Sequence, residues 1–179
     1  MMGSSKREAI LNTAETLFYQ YGFHSIGLKK IITEADVAIM TLYNHFSSKE
    51  ELVLEVLKKR ELYYWNLVRP QHRDPDNWDI EDVMEGHFMW LIEKGDIGCI
   101  FLRALEEYRG RSEAIEKLIM DHKQAFTAYL REVLAQNNRS PELCLHIHTI
   151  AEGSTSMAEI IGPEKAIKVA RELLKSIKK

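Results

Sequence analysis

Residues 41–52 read Thr41-Leu42-Tyr43-Asn44-His45-Phe46-Ser47-Ser48-Lys49-Glu50-Glu51-Leu52, and two structural signals meet inside them. Leu42 and Phe46 stand four apart, the spacing that puts two side chains on one face of a helix. The polar residues between them fall on the other side. Ser47, with Glu50 three positions on, has the form of a capping box: a hydroxyl that takes a first-turn N–H and a carboxylate that reaches back. The stretch therefore predicts the end of a short helix, a brief break, and the start of a long one.

Working upstream, Ile10, Leu11, Ala14, Leu17, Phe18 and Tyr21 make one apolar face of a first helix. Ser5 and Glu8 form a capping box at its start, and Gly22 is a C′ stop. A second helix is expected from about Leu28 to Ala35, then a tight turn through Asp36 and Val37, then a third helix from Ile39 to His45. Helices of this size, packed within the first fifty residues, suit a helix-turn-helix unit. Leu42 and Phe46 should anchor the third helix against Ile31 and Leu17. Its other face then offers Thr41, Tyr43, Asn44 and His45 as hydrogen-bonding groups for base edges and phosphates. Ile39 and Met40 are suited to thymine methyl groups. Lys49, in the first turn of the next helix, would hold a phosphate together with that helix's N-terminus. Lys29 and Lys30 add positive charge nearby. Through residue 50 five basic residues balance five acidic ones, and the whole chain carries a net charge of -3. Affinity for DNA must therefore come from placement, with a modest dependence on salt.

The 41–52 run, with Ile10 to Phe18 and Tyr21-Gly22-Phe23 ahead of it, resembles the TetR (tetracycline-repressor-like) family over roughly residues 7–56. In that family a TLY-x-[HY]-F-x-[SN]-KEEL pattern closes the recognition helix and opens helix four. The resemblance implies a dimeric bacterial repressor that binds a palindromic double-stranded operator. It also implies an apolar effector cavity between central helices, and dimerisation through the last two helices. Gly98-Cys99-Ile100-Phe101-Leu102 is similar to a run in the effector domains of many members. There are departures. Asp36 and Ala38 stand where the family's turn usually has glycine and serine, Ile39 and Met40 where lysine and glycine are common, and Gly27 where a capping serine or threonine is typical. Loss of the Ala38 cap costs about 1 kcal/mol of helix stability.

Outward from the motif the chain reads as all-α. The long helix carries Leu52, Val53, Val56, Leu57, Tyr63, Tyr64 and Leu67 and ends by Arg69, before a loop of Gln71-His72-Arg73-Asp74 between Pro70 and Pro75. Asp79 caps a helix with Ile80, Val83, Met84, His87, Phe88, Leu91 and Ile92 inward, closed by Gly95. Gly98 to Tyr108 suggests a helix buried on most sides. Ser112 opens a long amphipathic helix that ends at Asn137-Asn138. Ser140-Pro141-Glu142 reads as a helix start running to Ile161, and Gly162-Pro163-Glu164 as a stop and restart. The last two helices carry apolar stripes, the first with small residues Gly153, Ser154 and Ser156, the second with Ile167, Ala170, Leu173, Leu174 and Ile177. Such a pair is suited to half of an intermolecular four-helix bundle. The division expected is a DNA-binding domain over residues 1–50 and a ligand-binding and dimerisation domain over 51–179. An effector site is expected at Met84, His87, Phe88, Leu91, Phe101, Leu105, His122 and Phe126, whose aromatics and two histidines suit a hydrophobic ligand with one or two polar groups.

Other chemistries find no support. Cys99 and Cys144 are the only cysteines and lack CxxC spacing, which suits a reducing cytoplasm and argues against zinc. His146 and His148 stand two apart on a helix and point in different directions, so no metal site is expected there. No nucleophile elbow, P-loop or GxGxxG occurs, and neither enzymatic activity nor a cofactor is expected. No apolar run approaches the roughly 20 residues that span a bilayer. Two alternatives from other classes remain open at this point: a structural or nucleoid-associated DNA binder without a small-molecule ligand, and an enzyme that borrows the same fold.

Overall fold

The structure, a computed structural model, describes residues 2–69 and 79–177. The expected loop at Gln71–Asp74 and its flanking prolines lie outside the described residues. All regular structure among the described residues is helical: α1 (Met2–Tyr21), α2 (Leu28–Glu34), α3 (Ile39–His45), α4 (Lys49–Val68), α5 (Ile80–Lys94), α6 (Ile100–Tyr108), α7 (Glu113–Gln136), α8 (Leu143–Ile161) and α9 (Pro163–Ser176).

Several ends follow the local chemistry. Gly22 stops α1 with φ +83, a left-handed backbone that costs glycine nothing. Asp79 and Asp82 form a reciprocal capping box at α5. Others differ from the reading by a residue or two. α1 runs through Ser5, which is therefore helical and not a cap. At α4 the cap is Ser48: its hydroxyl accepts the Glu51 N–H at 3.1 Å, while the Glu51 carboxylate takes the Ser47 N–H at 2.6 Å. The Ser47 and Glu50 pairing is thus displaced by one position, and Lys49 becomes the first helical residue. Ser140-Pro141-Glu142 is a turn ahead of α8, in which the Ser140 hydroxyl accepts the Glu142 N–H at 3.3 Å.

The chain packs as two compact units. One comprises residues up to Arg60 together with 100–119, the other 61–99 and 120 onward. α4 and α7 each contribute to both. In the first unit, Ile10, Phe18, Phe23, Ile31, Leu42, Phe46 and Leu52 are fully or almost fully buried and make the core of α1–α4. A buried ion pair crosses that core, from Arg60 at the end of this unit's α4 portion to Glu15 on α1, at 2.7 Å. α6 belongs here too, through Ile100, Phe101, Ala104 and Tyr108, but Leu102 is exposed. The helix is one-sided, not buried on most sides, because nine residues at 100° each leave one face turned outward.

The second unit is built on Tyr64, Val68, Val83, Phe88, Leu91, Phe126, Leu130 and Ile147. α5 lies tight against the end of α4: a Cβ on Gly86 would fall 2.3 Å from the Leu67 carbonyl oxygen. Ile92, read as inward, is exposed; so is Leu173, whereas its neighbour Leu174 is buried.

Candidate functional site

α3 is seven residues long, and the residue at its N-cap, Ala38, supplies no side-chain cap. The Asp36 turn before it adopts φ +50, the left-handed conformation aspartate tolerates better than most residues. The helix is held from below by Leu42, within it, and by Phe46 just after it, both buried. The opposite face is bare: Ile39, Met40 and Tyr43 are 48%, 66% and 47% exposed, and Asn44 is exposed beside them. Thr41 and His45 are half-buried on its flanks, His45 edge-on to the Phe46 ring. Lys29 is exposed. Lys30 lies over the Tyr21 ring with its ammonium 4.4 Å from the centroid. Tyr21 is itself mostly exposed. Its spacing places it on the apolar stripe of α1, and no local signal separates it from that stripe. Lys49 is half-buried, which lowers its pKa against the opposing pull of Glu107.

Glu107 is the feature of this unit that sequence reasoning passed over. Its carboxylate, from α6, accepts the Phe23 N–H at 2.7 Å, the His24 N–H at 2.5 Å and the His24 Nδ1–H at 2.6 Å. Burial works against that charge, but the three hydrogen bonds outweigh it and hold the carboxyl below its usual range. Arg111 donates to His24 Nε2 at 3.0 Å, which fixes the tautomer with the hydrogen on Nδ1. A Cβ on Gly22 would stand 2.9 Å from the Glu107 carboxylate, a second reason for glycine there. The Ser112 hydroxyl bonds Glu50 at the start of α4. The corner between α1 and α2 and the start of α4 are thereby fastened to residues that follow α5.

In the second unit, Met84, His87, Phe88, Leu91, His122 and Phe126 are all buried, and Tyr64 stands among them. Its ring contacts those of His87, Trp90, His122 and Phe126 edge-on, with centroids 5.4 to 5.9 Å away. Phe101 and Leu105 are placed in the other unit, so the expected effector residues are not all brought together within one. His87 Nε2 lies 3.2 Å from the Ala151 carbonyl, which only accepts, so Nε2 carries the hydrogen. Nδ1 then accepts from the Tyr64 hydroxyl at 3.2 Å. Burial pushes the His87 pKa down to about 4, and the ring is neutral near pH 7. His122 donates from Nδ1 to Glu61 at 3.2 Å, a carboxylate and not a backbone carbonyl. Reasoning from the sequence also missed a polar cluster here. Lys123 reaches Glu152 at 2.6 Å and Cys99 at 3.6 Å, and His148 lies 3.6 Å from the same Glu152.

Residues 10–56, from within α1 through α2 and α3 to the first turns of α4, match the bacterial regulatory proteins of the tetR family. The head of the chain is a tetR-family domain. Among TetR-family relatives, UidR of Escherichia coli, an HTH-type transcriptional regulator, is 41% identical over 51 residues, 28% of this chain and 26% of that protein. The chain thus spans about a quarter of the length of that curated relative. IcaR of Staphylococcus epidermidis, a negative transcriptional regulator of the biofilm operon icaADBC, is 22% identical over 128 residues, 72% of this chain and 66% of that one. The crystal structure of SCO4454, a TetR-family transcriptional regulator from Streptomyces coelicolor, superposes with a TM-score of 0.84 at 26% identity, covering 98% of this chain and 97% of that one. Seen as a TetR-family head, α1–α3 keep the expected anchors Leu17, Ile31, Leu42 and Phe46 in the core, while Gly27 and Ala38 leave α2 and α3 without side-chain caps.

Proposed function

We propose that this chain is a DNA-binding transcriptional regulator, a repressor that acts as a homodimer and leaves its operator when a small hydrophobic effector binds. The bare outer face of α3 carries the reading: Ile39, Met40, Tyr43 and Asn44 point outward from a helix whose other face is locked in the core. A recognition helix needs that division between anchor and reader. Thr41 and His45 flank the readers, and Lys29, Lys30 and Lys49 supply phosphate contacts. Two such helices must stand about 34–36 Å apart to enter successive major grooves, which requires a dimer on a palindromic site.

The dimer reading rests on α8 and α9. Leu145, Met157, Ile160, Val169 and Leu173 are exposed on them, and a groove of about 310 Å³ runs between Ile150, Gly153, Met157, Ile161, Val169 and Leu173. A Cβ on Gly153 would meet nothing within 4 Å, so the chain's own packing gives no reason for glycine there; close approach of a second helix does. The effector reading rests on Met84, His87, Phe88, Leu91, His122 and Phe126, an aromatic core holding more polar atoms than packing alone requires.

The test is selection of duplexes from a random pool, followed by mobility-shift titration. Wild type should enrich an inverted repeat. Tyr43→Ala and Met40→Ala should weaken binding about tenfold or more, and Lys49→Ala should weaken all sequences alike. If no sequence is enriched, or if Tyr43→Ala and Met40→Ala bind as wild type does, the assignment fails.

A further inference from the structure

Ala38, Ile39 and Met40 are three exposed apolar residues in a row, at the N-cap and in the first turn of α3. A surface run of that kind is unfavourable in water unless something covers it. The run shares the outer side of α3 with Tyr43 and Asn44, which are exposed as well. α3 itself, Ile39–His45, holds no arginine, lysine, aspartate or glutamate. Those are the side chains that best read a G·C pair in the major groove. Arginine or lysine forks onto guanine O6 and N7, and a carboxylate takes a hydrogen from cytosine N4. Nearby cations are engaged elsewhere. The Lys30 ammonium lies 4.4 Å from the Tyr21 ring centroid and 3.9 Å from Glu34, and Lys49 is half-buried. Lys29, exposed on α2, is a flexible point charge suited to phosphate.

An A·T pair offers what this face can use. Thymine projects a C5-methyl group that takes apolar contact, and adenine N6 and N7 take a bidentate side-chain amide. On the strength of the regulator reading proposed above, we infer that the head selects A·T pairs by their thymine methyl groups. Ala38, Ile39 and Met40 cover those methyls, and Asn44 bonds an adenine. Each contact removes apolar surface from water on both partners, the protein run and the methyl. Loss of one methyl should therefore cost about fourfold in affinity, or about fifteenfold when both half-sites of a dimer's operator lose it. Ile39 and Met40 thereby become specificity-determining residues, whereas Lys29 acts on every duplex alike.

The probe is the inverted repeat enriched by selection, with thymine replaced by deoxyuridine at one position at a time in both half-sites. That change deletes the C5-methyl and leaves the base pair and the O4 acceptor in place. With wild-type protein, mobility-shift titration should show the loss of about fifteenfold at one or more positions and no change at the others. Because this measurement uses wild type alone, it does not depend on any variant folding. Met40→Ala or Ile39→Ala should then flatten the response at a sensitive position, while Tyr43→Ala, though weaker throughout, should keep it. That comparison separates a methyl contact from a change in duplex stiffness, which every variant would feel equally. Affinity unchanged by deoxyuridine at every thymine overturns the inference and leaves sequence-specific binding standing. So does a loss that persists undiminished in both Met40→Ala and Ile39→Ala. If no duplex is enriched at all, the regulator reading falls, and the methyl readout falls with it.

Discussion

Arg60→Met takes the guanidinium away from a carboxylate that stays inside the first unit. Arg60 and Glu15 side chains are 2% and 11% exposed, and their bond is 2.7 Å long. Arg60 also lies over the Tyr19 ring, 4.6 Å from its centroid. Breaking a buried pair by removing one partner costs about 3–5 kcal/mol, and the lost ring contact adds about 0.5–1 kcal/mol. Methionine keeps much of the arginine stem's apolar burial, so a net loss of about 4 kcal/mol is expected. Against a total stability of about 5–15 kcal/mol, that is a large fraction. Urea unfolding, followed by circular dichroism at fixed protomer concentration, measures it; the concentration must be fixed because any self-association adds to apparent stability. Replacing both partners by apolar groups, Arg60→Met with Glu15→Leu, should recover most of the loss, since neither buried charge then remains. A single variant within 1 kcal/mol of wild type would refute this reasoning. So would a double variant whose loss equals the sum of the two single losses.

His87 is neutral in the fold with a pKa of about 4, below the ordinary 6.5, so its contribution is intact above pH 6.5 and is lost as pH falls through 4. The loss should reach about 3 kcal/mol, with one proton taken up on unfolding, and His87→Gln should remove that slope. Leu173→Glu places charge on an exposed position of the α8/α9 face and should give soluble, folded monomers by analytical ultracentrifugation. Leu174→Glu charges a buried position and should unfold the protein instead; dimers of unchanged affinity for Leu173→Glu would remove this face from the interface.

The helix phases were legible because they depend on local spacing, and the 41–52 motif was legible because anchors and caps recur at fixed intervals. Single positions at the edge of a stripe were not. Leu173 and Leu174 are adjacent, so 100° separates a residue that faces out from one that faces in, and composition does not say which. The α4 cap moved by one for a similar reason: Ser47 and Ser48 both have a glutamate three residues on, and only the backbone decides between them. Glu107 and Lys123 act on Phe23 and Cys99, 84 and 24 residues away in the chain. Such partners meet only through the fold. Nothing local in the sequence marks either side chain.

The absence of a side-chain cap on α3 has an evolutionary consequence. A seven-residue helix with Ala38 at its N-cap is too short to stand on intrinsic propensity. Leu42 and Phe46 hold it from the core side instead, so the folding of the helix has been separated from the residues on its outer face. Ile39, Met40, Tyr43 and Asn44 carry little structural duty. Mutation can therefore explore those four positions at small cost to stability. With these positions as the proposed readers, recognition preference is free to change while the scaffold stays as it is.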